Sequence, residues 1–159
     1  CRTIVGQQLA GAAARAIYSR FEKLLNGEVT PTKVLSITPE QIREVGLSWA
    51  KVRSVIDLST RVLDGQIVLK NLIEMENEEL IRELDQVKGI GKWTAEMFLM
   101  FKMGREDIFS WGDLGLKKGL LKFLGSVGGS ESDMIERVQL WAPYRSYGAI
   151  AMWHLLDNG

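Results

Sequence analysis

Val87-Lys88-Gly89-Ile90-Gly91-Lys92-Trp93-Thr94-Ala95 is the stretch on which the fold turns. Two glycines bracket one apolar residue, and a run rich in large apolar side chains follows at once. Glycine reaches positive φ without steric cost, so Gly89 and Gly91 predict a tight turn. Lys92 onward predicts the first turn of a helix, where backbone N–H groups lack intrahelical partners. Such donors, reinforced by the helix dipole, suit a phosphate. They would hold a nucleic-acid backbone without reading its sequence. Taken alone, the same pattern also describes an ordinary glycine-rich turn between two helices, because short glycine motifs carry little specificity.

Outward from the hairpin the chain reads as helical almost throughout, with no alternation of polar and apolar residues long enough to require a strand. Residues 2–25 predict one long helix with an apolar face. Thr38-Pro39-Glu40-Gln41 predicts a helix start, with a capping Thr, Pro in the first turn and Gln three residues on. Ser48 can cap a helix whose apolar positions Val52, Val55, Ile56, Val62 and Leu63 follow helical spacing. Asn77 followed by two glutamates predicts another start. After the hairpin, Trp93, Ala95, Met97, Phe98, Leu99, Met100 and Phe101 leave almost no polar face, which predicts a buried helix. Residues 104–112 form a connection, and Asp113 stands just before Leu114-Gly115-Leu116. Residues 125–130 form a Gly/Ser loop, and Pro143 marks the start of a last apolar helix through Trp153 and Leu156.

Length and composition narrow the function. A chain of 159 residues fits one domain, residues 1–159, and 46% hydrophobic residues suffice for a core. No apolar run reaches the roughly 18 residues of a membrane-spanning helix. The single cysteine excludes an internal disulfide and a cysteine-ligated zinc or iron–sulfur site within these residues. An intracellular protein is expected. Cys1 opens into what reads as the middle of a helix, so residues preceding it are expected to be missing. Basic and acidic residues balance at 20 each, which argues against coating nucleic acid by bulk charge. The hairpin nevertheless opens the more basic part of the chain, residues 85–125, directly after the acidic stretch 70–85. His154, the single histidine, reads as structural, and there is no histidine triad or metal-catalytic cluster.

Five ordered segments together resemble a known family, the helix-hairpin-helix DNA glycosylases. Val87 to Ala95 looks like the hairpin, and Asp113, twenty positions after Trp93, falls where the superfamily places its catalytic aspartate. Thr3-Ile4-Val5-Gly6-Gln7-Gln8-Leu9 resembles the N-terminal Gln-Gln helix. Gly46-Leu47-Ser48 with Lys51 resembles a Gly-Leu-Ser-x-x-Lys turn, and Trp141-Ala142-Pro143-Tyr144-Arg145-Ser146-Tyr147 resembles a Trp-x-Pro-x-Arg-Ser signature. The spacing suits the alkylation-repair branch, the 3-methyladenine DNA glycosylases of the second type. The chain departs from that pattern at Trp111-Gly112, directly before Asp113, and in the alanine-rich run at Ala10 and Ala12 to Ala14.

The resemblance implies an all-α, two-lobed domain, N-terminally truncated, with a cleft between its lobes. It implies excision of alkylated purines from double-stranded DNA, by flipping the damaged nucleotide into a pocket. Asp113 would stabilise the positive charge left on the sugar; by pattern alone it is also a good helix N-cap, and the two roles are compatible. Trp93 stands where bifunctional relatives carry a lysine nucleophile, which implies base removal without strand cleavage. Lys92 beside it points about 100° away around the helix. Trp93, Trp153, Tyr147 and Trp111 are the candidate pocket aromatics, suited to electron-deficient bases. Each could equally be a core aromatic, and for Tyr147 that is the preferred reading. Gly89, Ile90, Gly91, Lys92 and Thr94 are the candidate grip on the DNA backbone. Gln8 and Leu47 are candidate wedges into the duplex, with a surface residue and a core residue as the alternatives. No cofactor is expected to be required. A Na+ or K+ ion at the hairpin carbonyls is the one ion the resemblance suggests. The expected partner is alkylated double-stranded DNA, bound by a monomer with no membrane, in the nucleus of a eukaryote or the cytoplasm and nucleoid of a prokaryote.

Overall fold

The computed structural model describes residues 1–125 and 130–158, and every regular element among them is helical. The chain divides into two compact units, Cys1–Ala95 and Glu96–Gly159. No helix among the described residues is long and apolar enough to cross a membrane.

The first unit contains α1 (Arg2–Gly6), α2 (Gly11–Leu24), α3 (Pro31–Leu35), α4 (Pro39–Glu44), α5 (Trp49–Leu63), a 3-10 turn (Asn71–Ile73) and α6 (Asn77–Asp85). Local chemistry explains most of the starts. Thr38 and Gln41 form the expected capping box, with reciprocal bonds of 3.2 and 2.9 Å and Pro39 in the first turn. Ser48 caps α5 by accepting the Lys51 N–H at 3.3 Å. Each such cap contributes about 1 kcal/mol. α6 is capped at Glu76 with no side-chain bond, so Asn77 stands one place inside the helix it was expected to open. α5 is the centre of this unit, and α1, α3 and α4 all pack on it. Val52 and Val55 on its inner face are buried, with Val5, Phe21, Val34, Ile42 and Leu47 among the other buried core residues.

The long helix expected over residues 2–25 is broken. α1 ends at Gly6, α2 begins at Gly11, and Gln8 between them has φ +54°. A distant side chain satisfies the break. The Lys51 ammonium on α5 donates to the carbonyls of Val5 at 2.8 Å and Gln7 at 2.7 Å, groups that a continuous helix would have used internally.

α7 (Lys92–Lys102) opens in the first unit, and its larger part belongs to the second with α8 (Leu114–Leu124), α9 (Glu131–Gln139) and α10 (Arg145–Asn158). α8 and α10 pack closely because Gly119 has no side chain: a Cβ there would lie 2.3 Å from the Met152 carbonyl oxygen. α10 begins at Arg145, two residues after the expected Pro143. Arg145 pairs with Asp107 through two bonds of 2.6 and 2.8 Å. Ser146 Oγ donates to the Arg105 carbonyl and accepts the Ile108 N–H. The Arg-Ser of the signature thus ties the connection before Asp113 to α10. The Gly/Ser loop expected at 125–130 falls largely outside the described residues.

The all-round apolar α7 is not fully buried. Ala95, Leu99 and Met100 are buried, but Trp93 and Phe101 are 43% and 52% exposed. Apolar composition reports which faces could be buried and not how many neighbours exist to cover them.

Candidate active site and nucleic-acid grip

In the first unit the hairpin is held from three directions. The Ile90 N–H bonds the Val87 carbonyl at 2.9 Å, closing the turn, and the Ala95 N–H bonds the Gly91 carbonyl at 3.1 Å, opening α7. Gly89 has φ +77°, and a Cβ there would meet Ser54 Oγ of α5 at 2.3 Å. Glycine is therefore required at 89 by backbone and by space. Gly91 has neither constraint, since its φ is not positive and a Cβ would meet nothing within 4 Å. The expectation of two positive-φ glycines is corrected to one.

The second hold is Asp57 on α5, which accepts the Lys88 N–H at 3.0 Å and pairs with Arg61 at 2.9 Å. Burial would raise the Asp57 carboxyl, but the Lys88 N–H and the Arg61 guanidinium outweigh it and hold it below the usual range. The third is Gln7, whose Nε2 donates to the Gly89 carbonyl at 3.0 Å and to Thr94 Oγ1 at 2.9 Å. Thr94 is buried and its hydroxyl is engaged by Gln7, so what it offers a phosphate is backbone. Ile90 is likewise buried, whereas Gly91 and Lys92 are exposed.

Gln7, Gln8, Lys51, Ser54, Gly89 and Trp93 share one recess of about 350 Å³. Gln8 is exposed. Leu47 is 0% exposed, and the wedge expected of it is corrected to a core position, because a side chain without accessible surface has nothing to insert. Asp57, Ser54, Gln7 and Lys51 were not singled out for these roles. Their partners are distant in sequence, and only the positions of Gln7 and Lys51 within quoted motifs marked them.

In the second unit Asp113 is the N-cap of α8, as its pattern suggested. Its Oδ1 accepts the Leu116 N–H at 2.8 Å and the Trp153 Nε1–H at 3.2 Å. Gly115 keeps this corner open: a Cβ there would stand 3.0 Å from Asp113 Oδ1 and 3.4 Å from the Trp153 ring. The turn before Asp113 is anchored from beneath. The Asp113 N–H donates to the Ser110 carbonyl at 3.0 Å, and the wholly buried Ser110 hydroxyl donates to the buried Glu96 carboxylate. Trp153 also lies against Phe101, ring centroids 5.8 Å apart.

The other two aromatics are placed differently. Trp111 packs on Phe109 at 4.7 Å, within an aromatic cluster that reaches Trp141. Tyr147 is 57% exposed and donates its hydroxyl to Glu106 at 2.8 Å, so it is not the core residue preferred for it. Six residues before Trp153 on the same helix, it is turned from it by about 120°.

No group of three His, Cys, Asp or Glu residues among those described could hold a metal. The hairpin carbonyls of Val87, Gly89 and Gly91 each accept an N–H. A carbonyl keeps a second lone pair, so the neutral oxygen set still fits a monovalent cation.

The chain is 34% identical over 157 residues to DNA-3-methyladenine glycosylase 1 of Schizosaccharomyces pombe, covering 96% of this chain and 68% of the relative. Its fold matches the crystal structure of a DNA-3-methyladenine glycosidase from Bacillus halodurans with a TM-score of 0.86 at 35% identity, covering 99% of this chain and 73% of the other. It also matches the Schizosaccharomyces pombe 3-methyladenine DNA glycosylase Mag1 in complex with abasic DNA, with a TM-score of 0.78 at 32% identity over 96% of this chain and 76% of that one. The profile of the HhH-GPD superfamily matches residues 1–144. With the constrained glycine hairpin and the capping aspartate in place, the chain belongs to the HhH-GPD superfamily of base excision DNA repair proteins.

Proposed function

We propose that this chain is a DNA glycosylase that removes alkylated purines of the 3-methyladenine and 7-methylguanine type from double-stranded DNA. The observation that carries the reading is Asp113, a carboxylate held at the start of α8 by the Leu116 N–H and the Trp153 indole. Relatives named as 3-methyladenine glycosylases support the substrate class.

A base within a duplex is out of reach, so the damaged nucleotide leaves the stack before reaction. The hairpin N–H groups hold the phosphate backbone, and Gln8 enters the space the nucleotide vacates. When the N-glycosidic bond breaks, the base departs with the bonding electron pair. An alkylated purine carries positive charge and departs neutral, and the sugar is left electron-deficient. The Asp113 carboxylate stabilises that charge. Water adds at the sugar carbon and gives its proton to Asp113 or to solvent, leaving an abasic site and the free base. Trp93, half exposed at the start of α7, and Trp153 beside Asp113 offer aromatic faces that favour cationic bases.

Trp93 has no amine, so the reaction is hydrolysis without lyase activity. No cofactor takes part, and a Na+ or K+ held by the hairpin carbonyls would only stiffen the turn. The protein acts as a monomer wherever the cell keeps its DNA.

The test is release of 3-methyladenine from methylated duplex DNA, with borohydride added in a parallel reaction. Released base and no trapped protein–DNA adduct are expected. Tight binding of an abasic duplex without base release would make the chain a non-catalytic binding module, and efficient trapping would reveal an amine nucleophile.

A further inference from the structure

The Gln7–Gln8 turn is held from both sides by residues that the reaction scheme leaves unused. On one side, the Lys51 ammonium donates to the carbonyls of Val5 and Gln7 at 2.8 and 2.7 Å. On the other, the Gln7 side chain reaches the hairpin at the Gly89 carbonyl and Thr94 Oγ1. Gln8 stands next in the chain at φ +54°, exposed, in a conformation that a non-glycine residue keeps only when its surroundings enforce it. Lys51 is fitted to enforcing it, being a charged donor on the well-packed α5 with two carbonyl acceptors. The hairpin rests on the same helix, through Ser54 against Gly89 and Asp57 against Lys88.

We propose that Lys51 and Gln7 are positioning residues: they form a strut that joins the phosphate-gripping hairpin to Gln8, so that a seated hairpin presents Gln8 in the one backbone conformation suited to entering the duplex. The proposal rests on the glycosylase reading for its purpose, but the strut itself is a mechanical claim about the turn. Burial lowers the Lys51 ammonium from its ordinary range, and its two carbonyl acceptors act the other way by favouring the charged form. With the strut intact, the turn is already ordered when DNA arrives, and the cost of ordering it does not fall on binding.

The experiment uses Lys51→Met, Gln7→Met and Gln8→Gly, singly and in the pairs Lys51→Met/Gln8→Gly and Gln7→Met/Gln8→Gly. Single-turnover excision is measured on methylated duplex, and amide hydrogen exchange is measured on the free protein. Lys51→Met should slow excision on the order of tenfold, the effect of losing charge-assisted bonds. It should have little further effect once Gln8 is glycine, because there is no longer a side chain to present. Exchange in peptides covering residues 7–10 should accelerate in Lys51→Met, with the α5 core unchanged. Gln7→Met, a change at a partly exposed side chain, should give the same non-additive pattern and serves if Lys51→Met fails to fold. Additive losses, or unaltered exchange at residues 7–10, would overturn the strut. If the parent chain excises nothing, the glycosylase reading fails, and the exchange measurement still decides the strut.

Discussion

Asp113→Asn separates the chemistry of this site from its architecture. The carboxylate accepts through Oδ1 from the Leu116 N–H at 2.8 Å and the Trp153 indole at 3.2 Å. Asparagine keeps a carbonyl oxygen at that position and caps helices about as well as aspartate. What it lacks is the charge. At the start of α8 that charge contributes about 0.3–1 kcal/mol through the helix dipole, so unfolding should shift by about 4 °C or less for a domain of this size. In the proposed mechanism the charge is central. Removing a preorganised electrostatic stabiliser slows a chemical step by about 10²–10³. The assay is single-turnover release of 3-methyladenine from methylated duplex, beside a thermal melt and a titration of abasic duplex. Near-parental melting and DNA binding with excision lost is the expected outcome. Asp113→Ala is a poorer probe, since it also removes the cap, worth about 1 kcal/mol, and leaves the Trp153 N–H without this acceptor. Excision within twofold of the parent in Asp113→Asn would refute the assignment of the carboxylate.

Two further perturbations test the supports of the site. Gly89→Ala should destabilise the protein by about 1–3 kcal/mol and weaken DNA binding, because φ +77° and the 2.3 Å approach to Ser54 Oγ both oppose a Cβ. Adding Ser54→Ala should recover only the part due to the clash, and full recovery would show that the backbone is unstrained. Asp107→Asn should cost about 1 kcal/mol or less at pH 7 after solvent screening, since the partners' side chains are 27% and 34% exposed. The Arg145 hydrogen bonds hold the Asp107 carboxyl below its ordinary value against the opposing effect of burial. A depressed carboxylate stabilises above its unfolded pKa of about 4 and loses that contribution as pH falls through the folded value. Denaturant melts at pH 7 and pH 3 should therefore converge for parent and variant at acid pH, and an equal gap at both would contradict the pairing.

Features set by neighbours along the chain were legible beforehand. The Thr38–Gln41 box, the Ser48 cap and the Asp113 cap each involve partners three residues apart, and all three formed as expected. The hairpin was legible as a turn, but not that Gly89 alone needs its glycine, which depends on Ser54 of α5. The break after Gly6 was only weakly marked locally, because Gly6 and Gly11 disfavour helix while the alanines beside them favour it, and the cation that captures the Val5 and Gln7 carbonyls lies in α5. Leu47 shows the limit for apolar residues: a leucine at a turn suits a wedge and a core equally, and its neighbours in space decide.

The amino-acid sequence by itself determined an all-helical chain, the capped starts of α4, α5 and α8, a glycine hairpin and a carboxylate at the head of α8. These follow from capping, turn geometry and periodicity, interactions that close within a few residues. Tertiary structure decided which side chains those elements meet. Trp153, forty residues beyond Asp113, becomes its indole partner because Gly119 lets α8 and α10 approach closely. Trp93 stays half exposed on a largely apolar helix, and Lys51 binds the Val5 and Gln7 carbonyls at the turn where Gln8 has φ +54°. Such pairings depend on packing across distant segments, and no local pattern encodes where a helix will find its neighbours.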